Sequence, residues 1–272
     1  MTASLSGAEL GARLTRMRQA TPLIHHITNY VAMNSAANVL LALGASPAMV
    51  HARQEAAEFA SLADALSVNI GTLSPAWVEA MVEAATSARA HAKPWVLDPV
   101  AVGATTYRRE VAGRLLACRP TVIRGNASEI IALHGATAGG RGVDSTAASD
   151  EALAAAVALA RNANAVVAVT GEVDLVTDGQ RLARVPGGHA LMPRVTTLGC
   201  ALSGVVAAFV ASGDDAFEDC IGALACYGEA GRRAGRDAHG PGSFASAFLD
   251  ELYRLDADAL IGLAPLEIAH VP

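Results

Sequence analysis

Lysine is almost missing. Lys93 is the only one in 272 residues, which excludes a phosphate site built on a P-loop lysine; GxxxxGK[ST] is absent, as is GxGxxG after a strand. Aromatic residues make up only 4%, so the core must come from close packing of small aliphatic side chains on helices and strands. Charge is sparse too, at 17% against 52% hydrophobic, a balance that excludes a disordered chain. The net charge of -6 gives no global attraction to nucleic acid or anionic membrane. Long apolar runs are lacking: the most apolar stretch, Ala201 to Ala211, is too short to span a bilayer and leads into Gly213-Asp214-Asp215. The N-terminus has no apolar signal core and reads as an amphipathic helix. Four cysteines, Cys118, Cys200, Cys220 and Cys226, show neither CxxC spacing nor a disulfide-dense pattern, so reduced thiols in the cytoplasm are expected. HExxH and other zinc spacings are absent as well.

What is present is alternation. Short apolar runs at 66–70, 95–98, 121–124 and 165–169 read as buried strands. Between them lie helical stretches: Pro75 to about Ala92 with Ser74 as N-cap, Asn126 to His134 closed by Gly135, and Ser149 to Asn162 with acidic residues in its first turn. Segments 173–177 and 181–185 around Asp178-Gly179 form a hairpin, and from Gly199 onward the chain is nearly all helix. The pattern predicts an α/β fold with a mainly parallel sheet and helices on both faces, in one domain over residues 1–272. Neither a repeat nor a linker interrupts it, and the glycine-rich stretch 135–142 is expected to be a mobile loop.

Ligands in such sheets bind beyond the carboxyl ends of the strands. There stand Asn69, Gly71, Asp98, Arg124, Asn126, Thr170 and Gly171. Gly199-Cys200 opens an apolar helix whose first amides form an anion site; a cysteine there would have a lowered pKa and act as thiolate or base, unless it merely fills a strand–helix junction. Asn126-Ala-Ser-Glu129 is a capping-box variant, and Glu129 could also hold magnesium through water. Asp98 could start a turn or help bind a metal. Arg124, after an apolar strand, needs either a salt-bridge partner or a phosphate. Thr170-Gly171 is either an ordinary strand exit or a hydroxyl and amides for a nucleotide. His25-His26 reads as polar lining or solvent-facing, since adjacent histidines do not easily face one metal.

Taken together, from about Pro22 to Leu255, these segments resemble the hydroxyethylthiazole kinases, of the ribokinase-like superfamily. The likeness rests on His-His-Ile-Thr-Asn-Tyr-Val (25–31), Gly-Ala-Ser-Pro-Ala-Met (44–49), Asn-Ile-Gly-Thr-Leu (69–73) and Leu-Asp-Pro-Val-Ala-Val-Gly-Ala-Thr (97–105). It continues through Ile-Arg-Gly-Asn-Ala-Ser-Glu-Ile (123–130), Gly-Arg-Gly-Val-Asp-Ser (140–145), Val-Thr-Gly-Glu-Val-Asp (169–174), Leu-Gly-Cys (198–200) and Gly-Pro-Gly-Ser-Phe (240–244). The resemblance implies ATP-dependent phosphorylation of 4-methyl-5-(2-hydroxyethyl)thiazole for thiamine biosynthesis or salvage, with Mg2+, in a homotrimer with active sites between subunits. It places Met49, Asn29 and Thr197 at the alcohol, Arg124, Thr170 and Asn126 at the nucleotide, Asp98 and Glu129 on the metal side, and Cys200 with Gly199 at the reacting atoms. The family commonly has Gly-Thr-Gly-Cys or Gly-Ser-Gly-Cys where this chain has Thr197-Leu198-Gly199-Cys200. Alternatives are another ribokinase-like kinase of a vitamin-related alcohol, which would usually carry Asp at position 200, a nucleotide-dependent dehydratase of hydrated NAD(P)H, and a nucleotide-binding regulatory protein without turnover.

Overall fold

The computed structural model describes residues 3–138 and 148–271. Its strands are β1 (Ala3–Leu5), β2 (Leu23–Ile27), β3 (Ser46–Ala48), β4 (Ala65–Asn69), β5 (Trp95–Asp98), β6 (Val122–Asn126), β7 (Val166–Thr170), β8 (Val173–Thr177), β9 (Arg181–Pro186) and β10 (Leu266–His270). They form one sheet in the order β1-β10-β9-β8-β7-β6-β5-β4-β2-β3. From β3 to β7 every pairing is parallel, and from β7 to β1 every pairing is antiparallel. The central strands β4 and β5 are buried at every position, as parallel strands covered on both faces must be.

Helices cover both faces. On one lie α1 (Gly7–Ala20), α2 (Met33–Leu43), α8 (Leu198–Ser212), α9 (Ala216–Ala234) and α10 (Pro241–Arg254). The other carries α3 (Arg53–Leu62), α4 (Pro75–Ala90), α5 (Thr106–Leu116), α6 (Ala127–Ala138) and α7 (Ala148–Ala163); the short α11 (Asp258–Ile261) packs against α1. Helix α8 is apolar nearly all round because it is buried nearly all round: residues 201–210 are buried in an unbroken run. It lies across β2, β4 and β5, and its small side chains permit a close approach. At Gly204 a Cβ would stand 3.2 Å from the His26 ring and 3.2 Å from Leu40.

Several elements depart from the sequence-based expectation. Helix α1 begins only at Gly7, where Ser6 and Glu9 form a capping box, and residues before it pair as β1 with β10 at the sheet edge. The C-terminal region therefore holds a strand as well as helices. Helix α6 runs through Gly135 to Ala138 rather than closing there; the rest of the expected mobile loop, and the 140–145 motif, lie outside the described residues. Ser74 caps α4 as expected, its hydroxyl accepting from the Trp77 amide at 3.3 Å. His25 and His26 are not solvent-facing: they sit in β2 at 0% and 1% exposure.

Candidate active site

The register of the sheet sets the site. Asn69 at the end of β4 pairs with Asp98 at the end of β5, and Asn126 of β6 pairs with Thr170 of β7. Side chains alternate along a strand, so Asn69, Asp98 and Arg124 all emerge on the face that α8 covers. Their polar atoms then have to be satisfied by one another and by α8, since burial without a partner is costly.

They are joined into one network. Asn69 donates from Nδ2 to Asp98 Oδ2 at 2.7 Å, and the Ser203 hydroxyl of α8 donates to the same oxygen at 2.7 Å. Asn29, just beyond β2, donates from Nδ2 to Asn69 Oδ1 at 2.8 Å and to Cys200 Sγ at 3.3 Å. Asn29 Oδ1 accepts from the Val31 and Ala32 amides, which holds the side chain in place. Arg124 spans the gap to the other half of the site: Nη1 donates to the Gly199 carbonyl at 2.8 Å, Nη2 to Thr170 Oγ1 at 2.6 Å, and Nη1 lies 3.6 Å from Asp98 Oδ2. Both readings left open for Arg124, a structural pairing and a cation at the strand ends, are thus compatible in one geometry.

Electrostatics follow from depth. Asp98 is fully buried, and desolvation pushes its pKa up to about 6, opposed by Arg124 and by its two hydrogen-bond donors. Its Oδ1 has no hydrogen-bond partner among the described residues. The expectation for Cys200 is overturned: its pKa is raised, first by burial and then by the nearby Asp98 charge, against hydrogen bonds from Asn29 and Asn69. Desolvation and a carboxylate outweigh the helix start. Asp174, which received no role from the sequence, accepts from the Gly171 amide at 2.9 Å and is raised to about 6 by burial.

Glu129 completes the capping box: Oε2 accepts from the Asn126 amide at 2.8 Å, and Asn126 Oδ1 accepts from the Glu129 amide at 3.0 Å. Its other oxygen accepts from the Ala101 amide at 3.0 Å, pinning the turn after Asp98. Met49 is half-buried against the α8-side core. Thr197 adopts φ 87°, a conformation strained for a β-branched residue, and Leu198 turns inward, 6% exposed. The bulk of Leu198 therefore goes into the core, while Thr197 carries backbone strain.

Ser203, Asn69 as a network member, and Tyr227, whose hydroxyl donates to the Leu198 carbonyl at 2.8 Å, went unrecognised in the sequence. Ser203 had a signal, since it lies three residues after Cys200 and so on the same helix face. Tyr227 had none.

A polar network at the carboxyl ends of parallel strands, closed by the first turn of a buried helix, stands where open α/β folds bind their ligands. By overall shape the chain is ribokinase-like: a ribokinase-like superfamily protein from Enterococcus faecalis superposes with a TM-score of 0.64 at 11% identity, over 88% of this chain and 89% of that one. A Staphylococcus aureus pyridoxal kinase in complex with ADP superposes at 0.62 with 19% identity, over 92% and 99%, which shows the fold alone. Within that class the chain belongs to the hydroxyethylthiazole kinase family, whose model matches residues 14–258. A hydroxyethylthiazole kinase of Cereibacter sphaeroides is 58% identical over 259 residues, covering 95% of this chain and 98% of that protein. The hydroxyethylthiazole kinase structure from Pyrococcus horikoshii superposes with a TM-score of 0.88 at 41% identity, over 97% and 99%.

Proposed function

We propose that the chain is a single kinase domain that transfers the γ-phosphoryl group of ATP to the primary alcohol of 4-methyl-5-(2-hydroxyethyl)thiazole. The family membership supports the reaction, and one observation supports its placement: Asn29, Asn69, Asp98, Ser203 and Arg124 converge on the first turn of α8, where the Gly199 and Cys200 amides have no intrahelical acceptor and stand beside the Cys200 thiol.

In this reading Met49, Asn29 and Thr197 border the alcohol, and Arg124, Thr170 and Asn126 meet the nucleotide. The Arg124 guanidinium, pinned by Thr170 and the Gly199 carbonyl, offers a fixed charge to the phosphates without reorganisation. The Cys200 thiol stays protonated near neutral pH, because its pKa is raised. It therefore orients the hydroxyl oxygen rather than removing its proton early. That suits a loose transition state, where positioning and charge stabilisation matter more than a strong base. The alcohol oxygen bonds to the γ-phosphorus as the bond to the ADP oxygen breaks, and the hydroxyl proton passes last to an oxygen of the transferred phosphoryl group. Meanwhile the Gly199 and Cys200 amides stabilise the charge on the moving group.

Magnesium fits the donor set. Mg2+ takes oxygen ligands, keeps several waters and is commonly held by one or two carboxylates with substrate phosphates. Among the described residues no cluster of three or more His, Cys, Asp or Glu forms a cage, while the buried Asp98 Oδ1 has a lone pair to spare. Asp98 would face the ion, and Glu129, whose oxygens already accept two amides, would reach it through water. When bound, the ion neutralises phosphate charge.

The same reading includes a homotrimer and a cytoplasmic setting, the latter in keeping with four free thiols; no helix among the described residues is long and apolar enough to cross a membrane. The test is phosphate transfer from ATP with magnesium, using the thiazole alcohol beside pyridoxal and hydroxymethylpyrimidine. Selective thiazole phosphorylation is expected. Nucleotide binding without transfer to any alcohol would refute the proposal.

A further inference from the structure

The peptide planes that open α8 are gripped from behind. The Leu198 carbonyl accepts from the Tyr227 hydroxyl at 2.8 Å, and the Gly199 carbonyl accepts from Arg124 Nη1 at 2.8 Å. A trans peptide is planar, with its C=O and N–H pointing in opposite directions. The unit holding the Leu198 carbonyl also carries the Gly199 N–H, and the unit holding the Gly199 carbonyl carries the Cys200 N–H. Anchoring each oxygen therefore aims the amide on the far side. Both amides belong to the first turn, where no intrahelical acceptor exists; the first helical bond runs from the Ala201 amide to the Thr197 carbonyl at 2.8 Å.

The two anchors come from different layers. Arg124 rises from the sheet, and Tyr227 reaches in from α9 at 2% exposure. The Tyr227 ring packs edge-on against Phe248 of α10, centroids 4.7 Å apart, while its hydroxyl is placed by the bond to the Leu198 carbonyl. Burial pushes its phenol pKa up, so the hydroxyl keeps its proton and remains a donor. An oxyanion site depends on donors held in place before charge develops; the Leu198 carbonyl also belongs to the helical ladder of α8, and the Tyr227 hydroxyl adds a second, side-chain anchor that fixes the tilt of the peptide at the less constrained end of the helix.

We propose that Tyr227 is a positioning residue for phosphoryl transfer, holding the Leu198–Gly199 peptide so that the Gly199 amide faces the moving phosphoryl group. Tyr227 is buried at 2% exposure and acts through the peptide it holds. The proposal rests on the kinase reading above.

Three proteins decide it: wild type, Tyr227→Phe and Phe248→Leu. Tyr227→Phe removes one oxygen atom and leaves the ring packing, whereas Phe248→Leu loosens the packing and leaves the hydroxyl. Turnover, KM for each substrate, thermal midpoint and inhibition by ADP with aluminium fluoride are measured for each. Removing an oxyanion donor outright costs about 10²–10³ in turnover; misaiming one should cost about tenfold in Tyr227→Phe. The KM for ATP should stay within about twofold, and the aluminium fluoride complex should weaken by the same factor as turnover, since both report transition-state complementarity. Phe248→Leu should melt earlier and turn over nearly as wild type. Wild-type turnover in Tyr227→Phe overturns the proposal, as does an equal loss in both variants, which would assign Tyr227 to packing. If wild type itself phosphorylates no alcohol, the kinase reading falls and takes the proposal with it.

Discussion

Replacing His26 by leucine should change how the protein responds to acid. His26 lies in β2 under Gly204 of α8 at 1% exposure, and neither ring nitrogen has a hydrogen-bond partner among the described residues. Burial pushes its pKa from 6.5 down to about 3. Between those values the unfolded chain binds a proton that the native state refuses, so stability falls as pH falls through 6.5. At pH 5 the gap is about 1.5 units, and one unit is about 1.4 kcal/mol, giving a cost of about 2 kcal/mol relative to neutral pH. Wild type alone would not isolate this. Asp98, Asp174 and Asp219, each raised to about 6 by burial, have the opposite sign: their native forms take protons first, so acidification below pH 6 relieves a penalty. Those contributions, and that of His25, whose pKa is lowered to about 4, are common to both proteins and cancel in the difference. Urea unfolding at pH 7 and pH 5 gives the stability gap between wild type and His26→Leu. It should move toward the variant by about 2 kcal/mol. An unchanged gap would mean that the native imidazole protonates normally, and the burial argument would be wrong.

The raised pKa of Cys200 predicts slow alkylation: iodoacetamide at pH 7.5 should label it more slowly than a free thiol such as glutathione, read by mass spectrometry of its peptide, with the rate still climbing at alkaline pH. Cys200→Ala should slow thiazole phosphorylation while leaving ADP affinity nearly intact by calorimetry; unchanged turnover would remove its proposed role. Thr197→Gly places glycine at φ 87°, where a β-branched side chain is strained by about 1–3 kcal/mol, so after glycine's own entropic cost the thermal midpoint should rise; a fall would locate compensating contacts at the threonine methyl.

The parts of the fold that sequence revealed are those where one physical signal dominates. Strand β7 is a short run of β-branched and aliphatic residues and β5 a short apolar run ending in Asp98, and the β8–β9 hairpin turns at Asp178-Gly179, with Gly179 at φ 87°. Strand β2 escaped notice because its polar pair His25-His26 is buried on both faces of the sheet, His25 against Phe59 and His26 under α8. Strand β1 has only three residues and a partner some 260 positions away, a pairing no local pattern can announce. Gly135 misled because α6 continues through it. In the site, Asp98, Arg124 and Thr170 were legible as polar groups ending apolar runs, and Cys200 as the residue opening an apolar helix. Their linkage through Asn29 and Ser203 was not, because it depends on register between strands and on the face of α8. The thiol pKa was misjudged for the same reason: the helix start is local and visible, but the burial and the neighbouring carboxylate are tertiary.

The segment between β9 and α8 has a bearing on how the sequence can drift. Gly188 donates its amide to the Gly228 carbonyl at 3.0 Å, and a Cβ at Gly228 would stand 3.2 Å from that same nitrogen. One turn along α9, Gly231 lies beneath Met192, and further on Gly235 lies beneath His189. This glycine face forms the bed on which the approach to Thr197 rests, backbone against backbone at Gly228 and under the Met192 and His189 side chains at Gly231 and Gly235. A side chain added at 228 would press on backbone at 3.2 Å, and one at 231 or 235 would have to displace the Met192 or His189 side chain, so each would shift the segment that leads to Thr197. A mutational library aimed at new alcohols should therefore leave positions 228, 231 and 235 as glycine. Their tolerance would be set by catalysis, although none of them meets a substrate.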